Sequence, residues 1–147
     1  MDAYFIVGEP NARKSSILRS LTGCANRSIR DIRLANGRDI RVYARVSSLQ
    51  ESKTTPQQFI AEAGNKGVDA VVFCLWPYAN PKKPLAYPDA GSYVAAFQQA
   101  GWNFIACAVL GGTRFRPNTP RVRAFPGAVV DPINVTAAAV RQHYRWF

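Results

Sequence analysis

Residues 8–15 have the residue types and the spacing of a loop that binds phosphate. Gly8, Lys14 and Ser15 match the pattern G-x-x-x-x-G-K-[S/T] at all but its second glycine. In such a loop successive backbone N–H groups surround the phosphates, the lysine neutralises the outer phosphates and the hydroxyl binds Mg²⁺. Arg13 stands in place of the second glycine, so the sequence predicts an altered form of this anion-binding chemistry.

The arginine at position 13 leaves several alternatives open. Glycine before the lysine lets the backbone pass close to a phosphate because it has no Cβ. Arg13 adds a Cβ and a long cation, which either blocks the loop or points outward and adds positive charge to its rim. The remaining alternative is a turn that keeps the shape of the loop without binding an anion.

The flanking residues predict the strand and the helix that such a loop requires. Residues 3–7 form a short apolar and aromatic run, which is typical of a buried strand. Residues 15–21 place apolar side chains at helical spacing, and Gly23 follows where a helix C-cap is expected. The predicted nucleotide-binding residues are Gly8, Asn11, Ala12, Arg13, Lys14, Ser15 and Ser16. Ser15 is also the candidate magnesium ligand, and the expected cofactor is GTP or ATP with Mg²⁺, or none.

Residues 4–23 resemble the first strand, phosphate loop and first helix of small GTPases of the translation-factor-related class. Those proteins often carry Pro-Asn inside the loop and Lys-Ser-Ser-Leu-Leu after it; here the sequence reads Pro-Asn and Lys-Ser-Ser-Ile-Leu. The resemblance implies a P-loop NTPase fold with a nucleotide triphosphate and Mg²⁺ bound at this loop.

The sequence departs from that family at its other motifs. The family usually has Asp-Thr-Pro-Gly near the position of residues 45–48, which here read Arg-Val-Ser-Ser. The family's Asp, which holds Mg²⁺ through water, falls on Arg45, and the Gly that senses the γ-phosphate falls on Ser48. The motif that reads guanine has no acidic counterpart in residues 109–113. The resemblance therefore implies a degenerate, GTPase-like domain, possessing at most vestigial hydrolysis.

Two other acids could replace the missing aspartate. Asp69 precedes the apolar run 70–75, which places it at the amino end of a strand, whereas ligands of open α/β sheets bind at the carboxyl ends. Glu51 follows the carboxyl end of a predicted strand and is the better of the two candidates, although its position favours an exposed loop acid.

The order of predicted elements indicates an α/β fold. Strands at 29–34 and 39–46 flank Asn36-Gly37, a strong hairpin signal, and a helix opens at Thr55-Pro56. The next predicted elements are a strand at 70–75 and a helix at 92–100, in which Val94, Ala95 and Phe97 are buried. They are followed by strands at 103–110 and 127–130 and by a helix from its cap Asn134 to Tyr144. This order predicts a single domain over residues 1–147, a three-layer α/β/α sandwich with a mainly parallel sheet and one antiparallel edge hairpin.

Composition and charge restrict the function classes. The hydrophobic content of 48% fits a folded domain, and no apolar run reaches the ~18 residues of a membrane span. The three cysteines are far apart and match no zinc or redox spacing, and the sequence shows no basic, apolar leader. We therefore expect a cytoplasmic protein. The net charge of +10, from 19 Lys and Arg against 9 Asp and Glu, favours polyanionic partners.

Two long loops, 76–91 and 111–126, follow neighbouring predicted strands and carry many of these cations. Because both loops emerge at the carboxyl edge of the sheet, we expect a basic rim beside residues 8–15. Its predicted members, which would bind nucleic acid or another polyanion, are Lys82, Lys83, Arg114, Arg116, Arg121 and Arg123. A merely solvated basic surface is the alternative.

Three functions remain open from the sequence. The preferred one is a degenerate P-loop domain that acts as a binding or scaffold module, with a protein partner in a larger assembly and without efficient hydrolysis. The second is a nucleotide-triphosphate-binding NTPase with weak hydrolysis. The third is a basic module that binds nucleic acid through its backbone with little sequence preference.

Overall fold

A computed structural model describes residues 1–147. Its strands are β1 (Asp2–Val7), β2 (Ser28–Arg33), β3 (Asp39–Ser48), β4 (Ala70–Leu75), β5 (Asn103–Leu110) and β6 (Val122–Phe125). Its α-helices are α1 (Lys14–Thr22), α2 (Pro56–Gly64), α3 (Ala90–Gln99) and α4 (Ile133–His143), and a short 3₁₀ helix covers Pro126–Val129. None of these helices combines the length and the apolarity needed to cross a membrane.

The six strands form one mixed sheet in the order β2-β3-β4-β1-β5-β6. All neighbouring pairs are parallel except β2 and β3, which form the antiparallel hairpin expected at the edge. Gly37 adopts a φ of 89° in the hairpin turn, and Asn36 accepts a hydrogen bond from the backbone of Arg38. The α/β class, the mainly parallel sheet and the edge hairpin are therefore confirmed.

Both faces of the sheet are covered, which explains why the central strands are apolar throughout. Helices α1 and α4 pack on one face, where Ile17, Leu18 and Val140 are buried. Helices α2 and α3 pack on the other face, where Phe59 and Phe97 are buried. Parallel strands with helices on both sides lose contact with water at every residue, so β4 is buried along its whole length.

Three expectations about the second half of the chain are wrong. The last strand covers 122–125 instead of 127–130, because Pro126 starts a 3₁₀ turn that ends the strand. Asn134 lies inside the first turn of α4, whose N-cap is Pro132, so it does not cap the helix. In α3 the buried side chains include Tyr93 and Val94, whereas Ala95 is exposed.

Arg45 is a completely buried cation on the face of the sheet that α2 and α3 cover. Its guanidinium donates to the carboxylate of Glu62 at 2.6 Å and to the hydroxyls of Ser52 and Thr54 at 2.8 Å. Burial alone would raise the pKa of Glu62, but hydrogen bonds from Tyr43 and Arg45 outweigh it and lower that pKa. The position at which the GTPase resemblance expects a magnesium-holding acid is thus a structural ion pair.

We expect Glu62→Gln to lower the free energy of unfolding by about 2–3 kcal/mol, because removal of one partner leaves the buried Arg45 charge uncompensated. The lowered pKa of Glu62 means that its stabilisation is present above the pKa of an unfolded glutamate and is lost as the pH falls through the folded pKa. Urea unfolding between pH 7 and pH 3 measures both effects.

Asp31→Asn is the matched control, because Asp31 is an exposed acid on the edge strand β2. The Asp31 variant should follow the wild-type curve, while the Glu62 variant should lose less stability on acidification than the wild type. Equal acid sensitivity of the wild type and the Glu62 variant would contradict the assignment.

Candidate anion-binding site

The segment between β1 and α1, residues 8–15, is called here the Lys14 loop. Gly8 begins it with a backbone hydrogen bond from its N–H to the carbonyl of Leu75 at 3.1 Å. A Cβ built on Gly8 would lie 2.9 Å from the Cβ of Ala12 and 3.3 Å from that of Leu110. Because both neighbours are held by the fold, glycine is required here for close approach of the loop to β5.

Arg13 adopts φ 65° and ψ 25° at the N-cap of α1, the left-handed conformation that glycine enters without strain. This is the position at which the sequence pattern has its second glycine, so the backbone takes a glycine-like shape despite the side chain. The guanidinium is exposed and donates to the carbonyl of Asp131 at 3.0 Å, just before α4. The side chain therefore points outward, which was one of the two alternatives for its direction.

Lys14 is the buried cation of the loop, with 5% of its surface exposed. Its ammonium donates to the backbone carbonyl of Glu9 at 2.6 Å, whereas no carboxylate forms a salt bridge with it. Burial lowers the pKa of Lys14, and the more distant charges of Glu51 and Glu9 act in the opposite direction. Because an ammonium has three donors, its hydrogen-bonding capacity is not exhausted by one carbonyl.

The first amides of α1 are available beside that ammonium. Ile17 donates its N–H to the carbonyl of Arg13, which is the first such bond of the helix. The N–H groups of Lys14, Ser15 and Ser16 precede it and have no intrahelical carbonyl. A helix N-terminus carries partial positive charge, so Lys14 adds a full charge where the backbone already favours an anion.

The predicted magnesium site is incomplete in the structure. The hydroxyl of Ser15 donates to the carbonyl of Val46 at 3.2 Å, which ties the start of α1 to the end of β3. The structure contains no group of three or more His, Cys, Asp or Glu side chains that could hold a metal ion. Asn11 is exposed within the Lys14 loop and Ser16 is half-buried just after it, and neither side chain is a carboxylate.

The two candidate acids occupy opposite ends of the sheet. Glu51 is exposed just beyond β3 and lies close enough to Lys14 for its charge to raise the pKa of that lysine. Asp69 accepts a hydrogen bond from the backbone of Arg41 at 2.8 Å, immediately before β4 begins. Asp69 therefore links the amino end of β4 to β3, away from the Lys14 loop.

Gln50 fastens together the loops that follow β3 and β4, and nothing in its sequence context indicated this role. Its buried amide donates to the carbonyls of Trp76 and Pro88 and accepts from the N–H of Trp76. Asn80 in turn donates to the carbonyl of Gln50 at 3.0 Å. Hydrogen bonds of both Gln50 and Asn80 consequently hold the segment after β3 against the segment after β4.

The predicted basic rim is divided among separate surfaces. Lys82 and Lys83 line, with Lys53, a cavity of about 130 Å³, whereas Arg114 and Arg116 line another of about 310 Å³ over β5 and β6. Arg123 lies in β6 and covers the ring of Phe125, with its guanidinium carbon 5.0 Å from the ring centroid. Arg121 lies beside the hairpin turn and the end of α4, because the chain returns toward the amino ends of the strands to begin β6.

Comparisons of the chain with protein-family models, with curated proteins and with solved structures find no match. The assignment of a function therefore depends on the geometry and the electrostatics of the Lys14 loop.

We expect Arg13→Gly to raise the free energy of unfolding by about 1 kcal/mol, because glycine adopts the left-handed conformation without the Cβ clash. Arg13→Ala keeps the Cβ and loses the bond to Asp131, so it should be no more stable than the wild type. Chemical denaturation of the three proteins measures the difference. A glycine variant that is less stable than the alanine variant would contradict the proposed strain.

Proposed function

We propose that the chain binds the phosphates of a nucleoside triphosphate, GTP or ATP, in the Lys14 loop. It would act as a binding or scaffold module for a protein partner, without efficient hydrolysis. The observation that carries this proposal is the burial of the Lys14 ammonium against a neutral carbonyl at the N-terminus of α1. A buried charge without an opposite charge is costly, and an anion from solution would remove that cost.

A phosphate fits the donors that the loop offers. Lys14 supplies a full positive charge, and the N–H groups of Lys14, Ser15 and Ser16 point from the start of a nine-residue helix. Gly8 permits the loop to pack tightly against β5, and the outward course of Arg13 leaves its charge at the rim. These features support anion binding by the loop and do not depend on the identity of the base.

The same residues do not fit a magnesium-dependent hydrolase. Ser15 offers one hydroxyl, which already donates to Val46, and Arg45 occupies the position of the family's magnesium-holding aspartate. Phosphoryl transfer depends on charge that is held at the transferred group within a fraction of an ångström. The two nearby acids, Glu9 and Glu51, are both exposed, and neither belongs to a group of three or more side chains that could hold a metal ion. We therefore propose nucleotide binding without catalysis as the function.

A nucleic-acid-binding module is the second candidate, because Lys53, Lys82 and Lys83 converge on one small cavity. The remaining predicted cations lie elsewhere, which argues against one continuous track for a phosphate backbone. Filter binding of DNA and RNA at rising salt tests this candidate, since each phosphate contact adds about 0.7–0.9 to the slope of log affinity against log salt.

We expect GTP or ATP to raise the thermal unfolding midpoint of the wild type, and Lys14→Met to abolish this rise. The reason is that the variant lacks the only buried charge of the loop while keeping a side chain of similar length. At 100 times the dissociation constant the ligand should add about 2.7 kcal/mol of stability. Calorimetric titration of both proteins with each nucleotide gives the affinities directly.

Arg19→Gln is the matched control for the loss of one charge, because Arg19 is exposed on the same helix. The control variant should keep the nucleotide-dependent stabilisation. Equal nucleotide binding by the wild type and Lys14→Met would refute the proposal, as would the absence of any binding by the wild type.

Removal of Mg²⁺ with a chelator should change the nucleotide affinity by less than about threefold, since the structure has no cluster of acidic side chains that could hold the metal. Phosphate release from bound nucleotide should remain at the rate of the protein-free control. A strong dependence on Mg²⁺, or hydrolysis that disappears in Lys14→Met, would show that the metal site is functional.

A further inference from the structure

A cavity separate from the two described above lies toward the amino ends of the strands, away from the Lys14 loop. Its volume is about 500 Å³, within the range of roughly 300–1,000 Å³ that small-molecule sites occupy. Tyr4, Tyr144, Leu34 and Ile105 form its apolar walls. The rings of Tyr4 and Tyr144 lie 5.2 Å apart between centroids and are almost fully buried, so the half-buried Leu34 and Ile105 supply the more accessible apolar lining.

Two guanidinium groups face this cavity without an acidic partner. Arg121 and Arg145 both line it, and neither belongs to an ion pair, since the salt bridges of the structure join other residues. Arg121 donates to the carbonyl of His143 at the end of α4, which leaves most of its five N–H donors free. Burial and the charge of Arg145 both lower the pKa of Arg121. The two cations therefore repel each other beside an aromatic cavity.

The backbone at both arginines is strained. Arg121 has a φ of 55° and Arg145 a φ of 58°, in the left-handed region that favours glycine. Arg145 directly follows the C-cap of α4, where glycine is the usual residue. Strained residues tend to concentrate at binding sites, and here both arginines occupy positions at which a smaller residue would be more stable.

Trp146 packs against two residues that line the cavity, Tyr4 and Tyr144, and does not line it itself. The indole N–H of Trp146 is buried without a hydrogen-bond partner. The Trp146 ring packs edge-on against Tyr4, with ring centroids 5.0 Å apart, and Tyr4 presents its side chain to the cavity. These contacts fix the positions of Tyr4 and Tyr144 beside the cavity.

We infer that this cavity binds a small anionic ligand with a flat apolar body, an aryl phosphate or an aryl carboxylate. The apolar body packs against Leu34 and Ile105 beside the edges of Tyr4 and Tyr144, and the anion pairs with Arg121 and Arg145. Guanidinium groups suit both anions because they offer paired N–H donors in one plane. This site is independent of the Lys14 loop and of the function proposed for it.

Isothermal titration calorimetry with 1-naphthyl phosphate and 1-naphthoate tests the inference, with 1-naphthol and inorganic phosphate as comparison ligands. We expect at least one aryl anion to bind at least about tenfold more tightly than either comparison ligand, because only the aryl anions engage both the apolar lining and the arginines. The phosphate and carboxylate probes distinguish the two kinds of anion.

Arg145→Gly and Arg121→Gly separate binding from folding. Each should weaken the preferred probe by at least about tenfold. Arg145→Gly should also keep or raise the thermal unfolding midpoint, since it relieves the positive φ. Lys14→Met and Arg19→Gln should bind the probe like the wild type. Unchanged affinity in both glycine variants, loss of affinity in Lys14→Met, equally tight 1-naphthol, or no binding at millimolar probe would overturn the inference.

Discussion

The burial of positive charge is the constraint on which this structure depends. The chain has 19 basic residues against 9 acidic ones, and two of its cations, Lys14 and Arg45, are buried. Arg45 receives Glu62 and two hydroxyls, and it holds α2 and the segment after β3 against the sheet. Lys14 receives only a backbone carbonyl. The difference between these two cations separates a structural ion pair from the site at which we propose that an anion binds.

Left-handed backbone strain at non-glycine positions is confined to basic residues. The non-glycine residues with positive φ are Arg13, Arg27, Lys53, Arg121 and Arg145, and every one of them is basic. Left-handed conformations of such residues cost about 1–2 kcal/mol each, which a glycine would avoid. Three of them border the Lys14 loop or the aromatic cavity. The fold thus accepts local instability at positions where a long cation reaches a concave surface.

The sequence predicted the central strands correctly, because their signal is a local run of apolar residues. The strands at 70–75 and 103–110 are continuous apolar runs, and the structure has them at the predicted residues. Strand β6 lies at the edge with exposed Arg123 and Ala124, so it gave no apolar signal. The burial of Arg45 depends on Glu62, which is 17 residues away, and the aromatic cavity combines five separate segments. Spacing alone located the Lys14 loop, whereas the direction of Arg13 required Asp131.

The hydrogen bonds of Gln50 have a consequence for signalling. Proteins that act as molecular timers let the chain beside the phosphates relax when a bond is cleaved, and partners detect that movement. In this structure the segment that follows β3 is held by two sets of hydrogen bonds. The buried amide of Gln50 donates to the carbonyls of Trp76 and Pro88, and the hydroxyl of Tyr93 donates to the carbonyl of Thr54. If the proposed nucleotide binding holds, a domain restrained in this way would report whether the nucleotide is present and would be poorly suited to measure how long it has been bound.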